Sequence, residues 1–173
     1  VARASYDVAL LAPMFIIMSF SFGTACYLVA LIVICKFARI ELGVELLRRL
    51  KNLLNVFVAA VLYFSAVFFL VKLYQANSNA FAHFILSDGG SYTLVFWLGQ
   101  VLLGGVLPLA LLLNGKISRS QAVVFIASLL VILGGLAQMY IIIVGGQAYP
   151  LEIFPGKAVV SSFFDGVVNE YTP

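Results

Sequence analysis

Charge is scarce in this sequence. Lys, Arg, Asp and Glu make up 10% of its 173 residues, against roughly a quarter in an ordinary soluble domain. Too few polar side chains remain to cover a water-soluble globule of this size. Metal-binding side chains are scarcer still. The only cysteines are Cys26 and Cys35, nine positions apart in one apolar run. At about 100° per helical residue they point to opposite faces, so they can neither bridge each other nor share a metal. With no CxxC pair and no third thiol, the chain cannot hold its own Cys-ligated iron–sulfur cluster or a structural zinc. His83 is the single histidine, which excludes a haem with two histidine ligands built from this chain alone. Intrinsic disorder is excluded as well, because Phe, Leu, Ile and Val are abundant and the net charge is only +3. No nucleic-acid partner is expected. The first residue is Val1 rather than Met, so the chain is expected to be processed or to belong to a longer protein.

What the sequence has in excess is apolar length: 64% of residues are hydrophobic and mean hydropathy is +1.13. Four stretches, 8–35, 56–73, 92–113 and 122–144, are long enough to cross a hydrocarbon core about 30 Å thick, which takes about 20 helical residues. All four are read as helices, since open strands in lipid would leave backbone amides unpaired. The expected fold is therefore all-α and integral to the membrane. A four-helix transmembrane bundle would occupy 1–144 and an irregular extracytoplasmic tail 145–173. The first run is long for one crossing and is expected to tilt or to project beyond the lipid.

Loop charge gives an orientation. Lys36, Arg39, Arg48, Arg49 and Lys51 lie between the first two spans, and Lys116 and Arg119 between the last two. Those seven basic residues share one side, which the positive-inside rule makes cytoplasmic. Arg3, Lys72 and Lys157 fall on the other, together with both termini. The first cytoplasmic connection reads as an amphipathic helix: Phe37, Ile40, Val44 and Leu47 on one face, Glu41, Glu45, Arg48 and Asn52 on the opposite one. It would lie along the headgroups or form a solvated extension of span one. Glu45 precedes Arg49 by four, the favourable order for a helical ion pair. On the outer side Phe81, Phe84 and Ile85 suggest a short interfacial helix, stopped by Asp88-Gly89-Gly90.

No charged residue is expected well inside a span, which counts against a pump or secondary carrier. The polar residues there are neutral: Ser19, Ser21, Thr24, Tyr63, Ser65, Gln100, Ser128, Gln138 and Tyr140. Interhelical hydrogen bonding and close packing account for them. Ser19 and Gly23 form a small-xxx-small pair, Gly104-Gly105 and Gly134-Gly135 thin their helices, and Pro108 is placed to kink span three. After span four, Gly145-Gly146 can end the helix, Pro150 and Pro155 bar its simple continuation, and Pro155-Gly156 suits a turn. The segment nevertheless stays apolar, as does 159–168. Such a tail either packs over the outer mouth of the bundle or docks on another subunit.

Gly134-Gly135-Leu136-Ala137-Gln138-Met139-Tyr140, followed by the stretch 144–156, resembles the end of the NrfD-type membrane subunits, the polysulfide-reductase membrane-anchor family. Ser161-Ser162-Phe163-Phe164-Asp165-Gly166-Val167-Val168 is similar to the branch found in complexes linked to dissimilatory sulfite reductase. Pro13, Phe15, Ser19 and Gly23 of span one are similar to an opening helix of one of the family's bundles. The resemblance implies a cofactor-free integral subunit that exchanges electrons with the quinone pool. The implied partner is an extracytoplasmic [4Fe–4S] protein, alongside molybdopterin, hydrogenase or cytochrome subunits. Family members carry eight to ten spans as two four-helix bundles. This chain shows four, and is read as the carboxy-terminal bundle of a longer subunit, or as one half encoded separately. The family's quinone pocket lies mainly in the other bundle, and its residues do not map onto this sequence.

Quinol oxidation needs proton acceptors and hydrogen bonds to two oxygens beside an apolar slot. Tyr140, Gln147, Tyr149 and Glu152 gather near the outer end of span four and are the quinone-binding candidates, though each also suits a packing role. His83, Pro150, Phe154 and Pro155 are candidate partner contacts. Two other readings stay open: half of a transporter built from repeats, with Gly99, Gly104 and Pro108 marking a broken helix, and a structural accessory subunit with no ligand.

Overall fold

The computed structural model describes residues 8–75, 79–115 and 120–148, and the backbone of three strands beyond them. Its four main helices are α1 (Leu11–Ala38), α2 (Val44–Tyr74), α4 (Ser91–Leu113) and α5 (Gln121–Gly145), each long and apolar enough to cross a membrane. A short helix α3 (Asn79–His83) and a wide turn (Phe84–Asp88) connect α2 to α4. A last turn α6 (Gly146–Ala148) extends α5. Around the bundle α1 packs on α2 and α5, α5 on α4, and α4 closes the ring on α2. Every neighbouring pair is antiparallel, the arrangement of an up-down-up-down four-helix bundle.

The bundle has a basic end, at the α1–α2 turn, and a far end, at α3 and α6. Arg39 makes the basic turn with a left-handed backbone (φ 54°, ψ 34°), and the Ile40 N–H reaches back to the Cys35 carbonyl at 3.0 Å. The amphipathic connection is helical on either side of this turn but is not a helix of its own. Phe37 belongs to α1, and everything from Val44 onward belongs to α2. No Gly or Pro interrupts 44–74, so nothing stops the amphipathic turns from running into the apolar span. The Glu45–Arg49 pair forms, at 3.1 Å, with both side chains exposed.

At the far end α3 and the turn after it pack inward rather than along the surface: Phe81 and Ile85 are buried. Gly90 ends this segment at φ +54° and ψ −104°, a backbone that only glycine adopts freely. The Trp97 indole N–H donates to the Leu86 carbonyl at 3.1 Å and ties the segment to α4.

Span four does not stop at Gly145-Gly146. The helix passes through both, widening to i→i+5 hydrogen bonds over Ile141–Gly145. A side chain on Gly145 would meet Ile85 Cδ1 at 3.2 Å, so this glycine serves close packing rather than termination. Span three is likewise continuous. It widens over Val95–Val106, where the Leu107 N–H bonds the Leu102 carbonyl five residues back. Pro108 follows at the start of the regular segment Leu107–Leu113. The widening accommodates a residue that lacks an N–H and would crowd the carbonyl four positions before it. The helix is wound differently there, not broken.

The stretch read as irregular pairs its backbone into an antiparallel sheet, β1 (Leu151–Phe154), β2 (Lys157–Ser162) and β3 (Gly166–Tyr171), in that order. Val160 stands opposite Val168 and Leu151 opposite Val159, with an irregularity between Glu152 and Phe154. The β-branched residues at 159, 160, 167 and 168 suit strands, and β2 lies beside α6.

Candidate functional site

Two apolar clusters fill the bundle, and they differ in kind. Toward the basic end the core is aliphatic, built around Leu28, Leu54, Val58, Leu112 and Val131. Toward the far end it is aromatic, built around Phe68, Phe69, Phe81 and Phe96 with Met14 and Ile141. Phe69 and Phe96 meet edge to face at 4.7 Å between centroids, a favourable geometry for aromatic rings.

Between the clusters lies a polar layer. Ser65 of α2, Gln100 of α4 and Gln138 of α5 are 4%, 5% and 2% exposed. The Gln100 Nε2 donates to Ser65 Oγ at 3.0 Å and the Gln138 Nε2 donates to the same oxygen at 3.2 Å. Three helices are thus joined through one hydroxyl, as the interhelical reading of these residues expects. The other neutral polar residues divide differently. Ser19, Thr24 and Ser128 donate to carbonyls four residues back on their own helices, at 2.8, 2.7 and 2.8 Å, and Tyr63 points outward. A hydroxyl in an apolar helix has its own backbone within reach, so these residues bridge nothing.

The burial of one residue goes beyond the sequence reading. Lys72, placed there at the outer end of the second span, is fully buried (0% exposed) within α2, its Nζ 5.8 Å from the centre of the Phe68 ring. The signal was available: Ser65, Phe68, Phe69 and Lys72 follow the i, i+3, i+4, i+7 spacing of one helix face. Lys72 lies in the last turn of α2, and a basic side chain there turned into the bundle is uncommon. Its amine lies against an aromatic wall.

The candidates named from sequence are placed as follows. Tyr140, 46% exposed at the end of the regular part of α5, stacks on Tyr92 at 6.1 Å. Tyr92 in turn meets Phe84 at 5.8 Å. Gln147 is exposed on α6 and His83 is exposed at the end of α3. Glu152 and Phe154 belong to β1, paired by backbone with Ala158 and Lys157. Tyr149, Pro150 and Pro155 lie outside the described residues. Among the described residues no three His, Cys, Asp or Glu side chains come together. What their interior offers is neutral hydrogen-bonding groups, an aromatic wall and a buried lysine amine. Amides and hydroxyls of this kind orient a carbonyl or a water but do not exchange protons near neutral pH.

The family model described as NrfD, polysulphide reductase, matches residues 1–150. The chain is 29% identical to the Hdr-like menaquinol oxidoreductase integral membrane subunit of Archaeoglobus fulgidus, over 99% of this chain and 44% of that protein. It is 31% identical to a Halobacterium salinarum protein provisionally named as a membrane subunit of dimethyl sulfoxide reductase, over 91% of this chain and 36% of that one. The chain therefore spans less than half the length of either relative. No solved structure matches it. With four membrane-length helices and a family match over most of its residues, this multi-pass membrane protein belongs to the NrfD polysulphide reductase family.

Proposed function

We propose that this chain is the membrane-embedded part of a quinone-linked oxidoreductase complex and exchanges electrons between the quinone pool and an iron–sulfur partner on the outer face. The family match over residues 1–150, with a relative named as a menaquinol oxidoreductase membrane subunit, carries the reading. Loop charge supports the orientation: the basic end faces the cytoplasm and the far end the outside. The redox centres belong to the partners, since two cysteines on opposite faces and one histidine give this chain no cluster of its own. Tyr140, Gln147, Tyr149 and Glu152 are the quinone-facing candidates. His83, Pro150, Phe154 and Pro155 are the candidate contacts of the [4Fe–4S] protein, and a second four-helix bundle completes the membrane part. Chemistry on a sulfur compound fits the named family, with molybdopterin, hydrogenase or cytochrome subunits as further partners.

Isolation of the complex from membranes through a tag on this chain tests the reading. A copurifying iron–sulfur protein and menaquinol-dependent reduction of an acceptor are expected. Solute uptake by vesicles holding the chain without redox partners, and no quinol activity in the complex, would contradict it.

A further inference from the structure

The carboxamides of Gln100 and Gln138 each carry two N–H donors and a carbonyl with two lone pairs. Ser65 Oγ takes one N–H from each. Two cavities flank this junction, and both glutamines line both of them. The first, of about 20 Å³, is completed by Ser21 and Met18; the second, also about 20 Å³, by Ser65 and Met14. A water needs roughly 10–15 Å³ of such space and two to four polar partners. Each cavity meets both conditions with three polar side chains: Gln100, Gln138 and Ser21 in one, Gln100, Gln138 and Ser65 in the other. Wholly apolar cavities stay dry; the linings here are mostly apolar, but each carries those three polar side chains.

We infer that the Ser65–Gln100–Gln138 junction is a binding site for two internal waters, one on each side, in the middle of the bundle. The waters supply partners for carboxamide groups that the shared hydroxyl does not engage, so the layer is a hydrated plane between the aliphatic and aromatic cores. The space in each cavity suits about one water, which is the occupant the inference names.

The two methionines make the inference testable. Met14 and Met18 are 2% and 4% exposed, one beside each cavity, and X-ray radiolysis oxidises side chains next to bound water. In the intact complex we expect both methionines to be oxidised, with Tyr74, 95% exposed, as the marker of dose. Ser21→Ala removes a partner from the first cavity only, and should lower oxidation of Met18 several-fold while sparing Met14. Gln100→Leu with Gln138→Leu should lower both. Unmodified Met14 and Met18 in the wild-type complex at doses that label Tyr74 would overturn the inference. Oxidation unchanged in the variants would overturn it equally, since the radicals would then come from water held elsewhere.

Discussion

Ser65 supports two amide donors on one oxygen, and its removal tests how much the polar layer contributes. Ser65→Ala leaves two buried N–H groups without that acceptor. We expect a loss of about 1–2 kcal/mol, between the cost of a buried unsatisfied donor and the smaller values found in membrane bundles. Unfolding in mixed detergent measures it. Ser128→Ala removes a hydroxyl that bonds only its own helix and should cost under about 0.5 kcal/mol. Equal losses would mean that the layer joins nothing. Lys72→Ala should cost about 2 kcal/mol through lost packing of a buried stem, whereas Lys36→Ala, at an exposed position, should be nearly silent in the same assay. At this scale the sequence was legible in part. Ser65, Gln100 and Gln138 stood out as polar residues in apolar runs, but their company did not, because spacing within one helix says nothing of what faces it across the bundle. Lys72 was missed because its place near the end of an apolar run looked like a boundary.

Among the described glycines, Gly104 of α4 and Gly134 of α5 make the tightest backbone contact. A Cβ built on Gly134 would collide with Gly104 Cα, and one built on Gly104 would stand 2.5 Å from Gly134 Cα. Backbone stands against backbone, and no rotamer relieves that contact. Gly134→Ala must push two helices apart, and we expect a loss of about 3 kcal/mol, the upper end of the usual cost of overpacking, or failure to assemble. Gly23, half of the small-xxx-small pair on α1, has nothing within 4 Å. Gly23→Ala should therefore be neutral or stabilise by up to about 1 kcal/mol through helix propensity. If both variants behave alike under thermal unfolding, the α4–α5 crossing is not as close as described. The same composition thus has two meanings. Paired glycines at 104–105 and 134–135 signalled close contact correctly, while those at 145–146 suggested a helix end and instead let Ile85 approach. Element type was legible because apolar length dictates helices in lipid. Element ends were not, because packing across the bundle, such as that of Ile85 on Gly145, bears on them.

Across the whole molecule the layers run from a basic, aliphatic end through a polar plane to an aromatic end that leads into the strands. Length and hydropathy made the four spans legible. The three-stranded ending was not, because β-branched residues next to a proline–glycine pair were read as an apolar tail rather than as strands. Direction in the membrane carries the functional reading, since an outside iron–sulfur partner needs the far end outside. Single cysteines introduced by Ser87→Cys, in the exposed turn after α3, and by Glu41→Cys, in the exposed turn between α1 and α2, report on opposite ends once Cys26 and Cys35 are replaced by alanine. Treatment of intact cells with a membrane-impermeant maleimide should label the position at 87 and leave the position at 41 unlabelled until the membrane is opened. Labelling at 41 with protection at 87 would contradict the account.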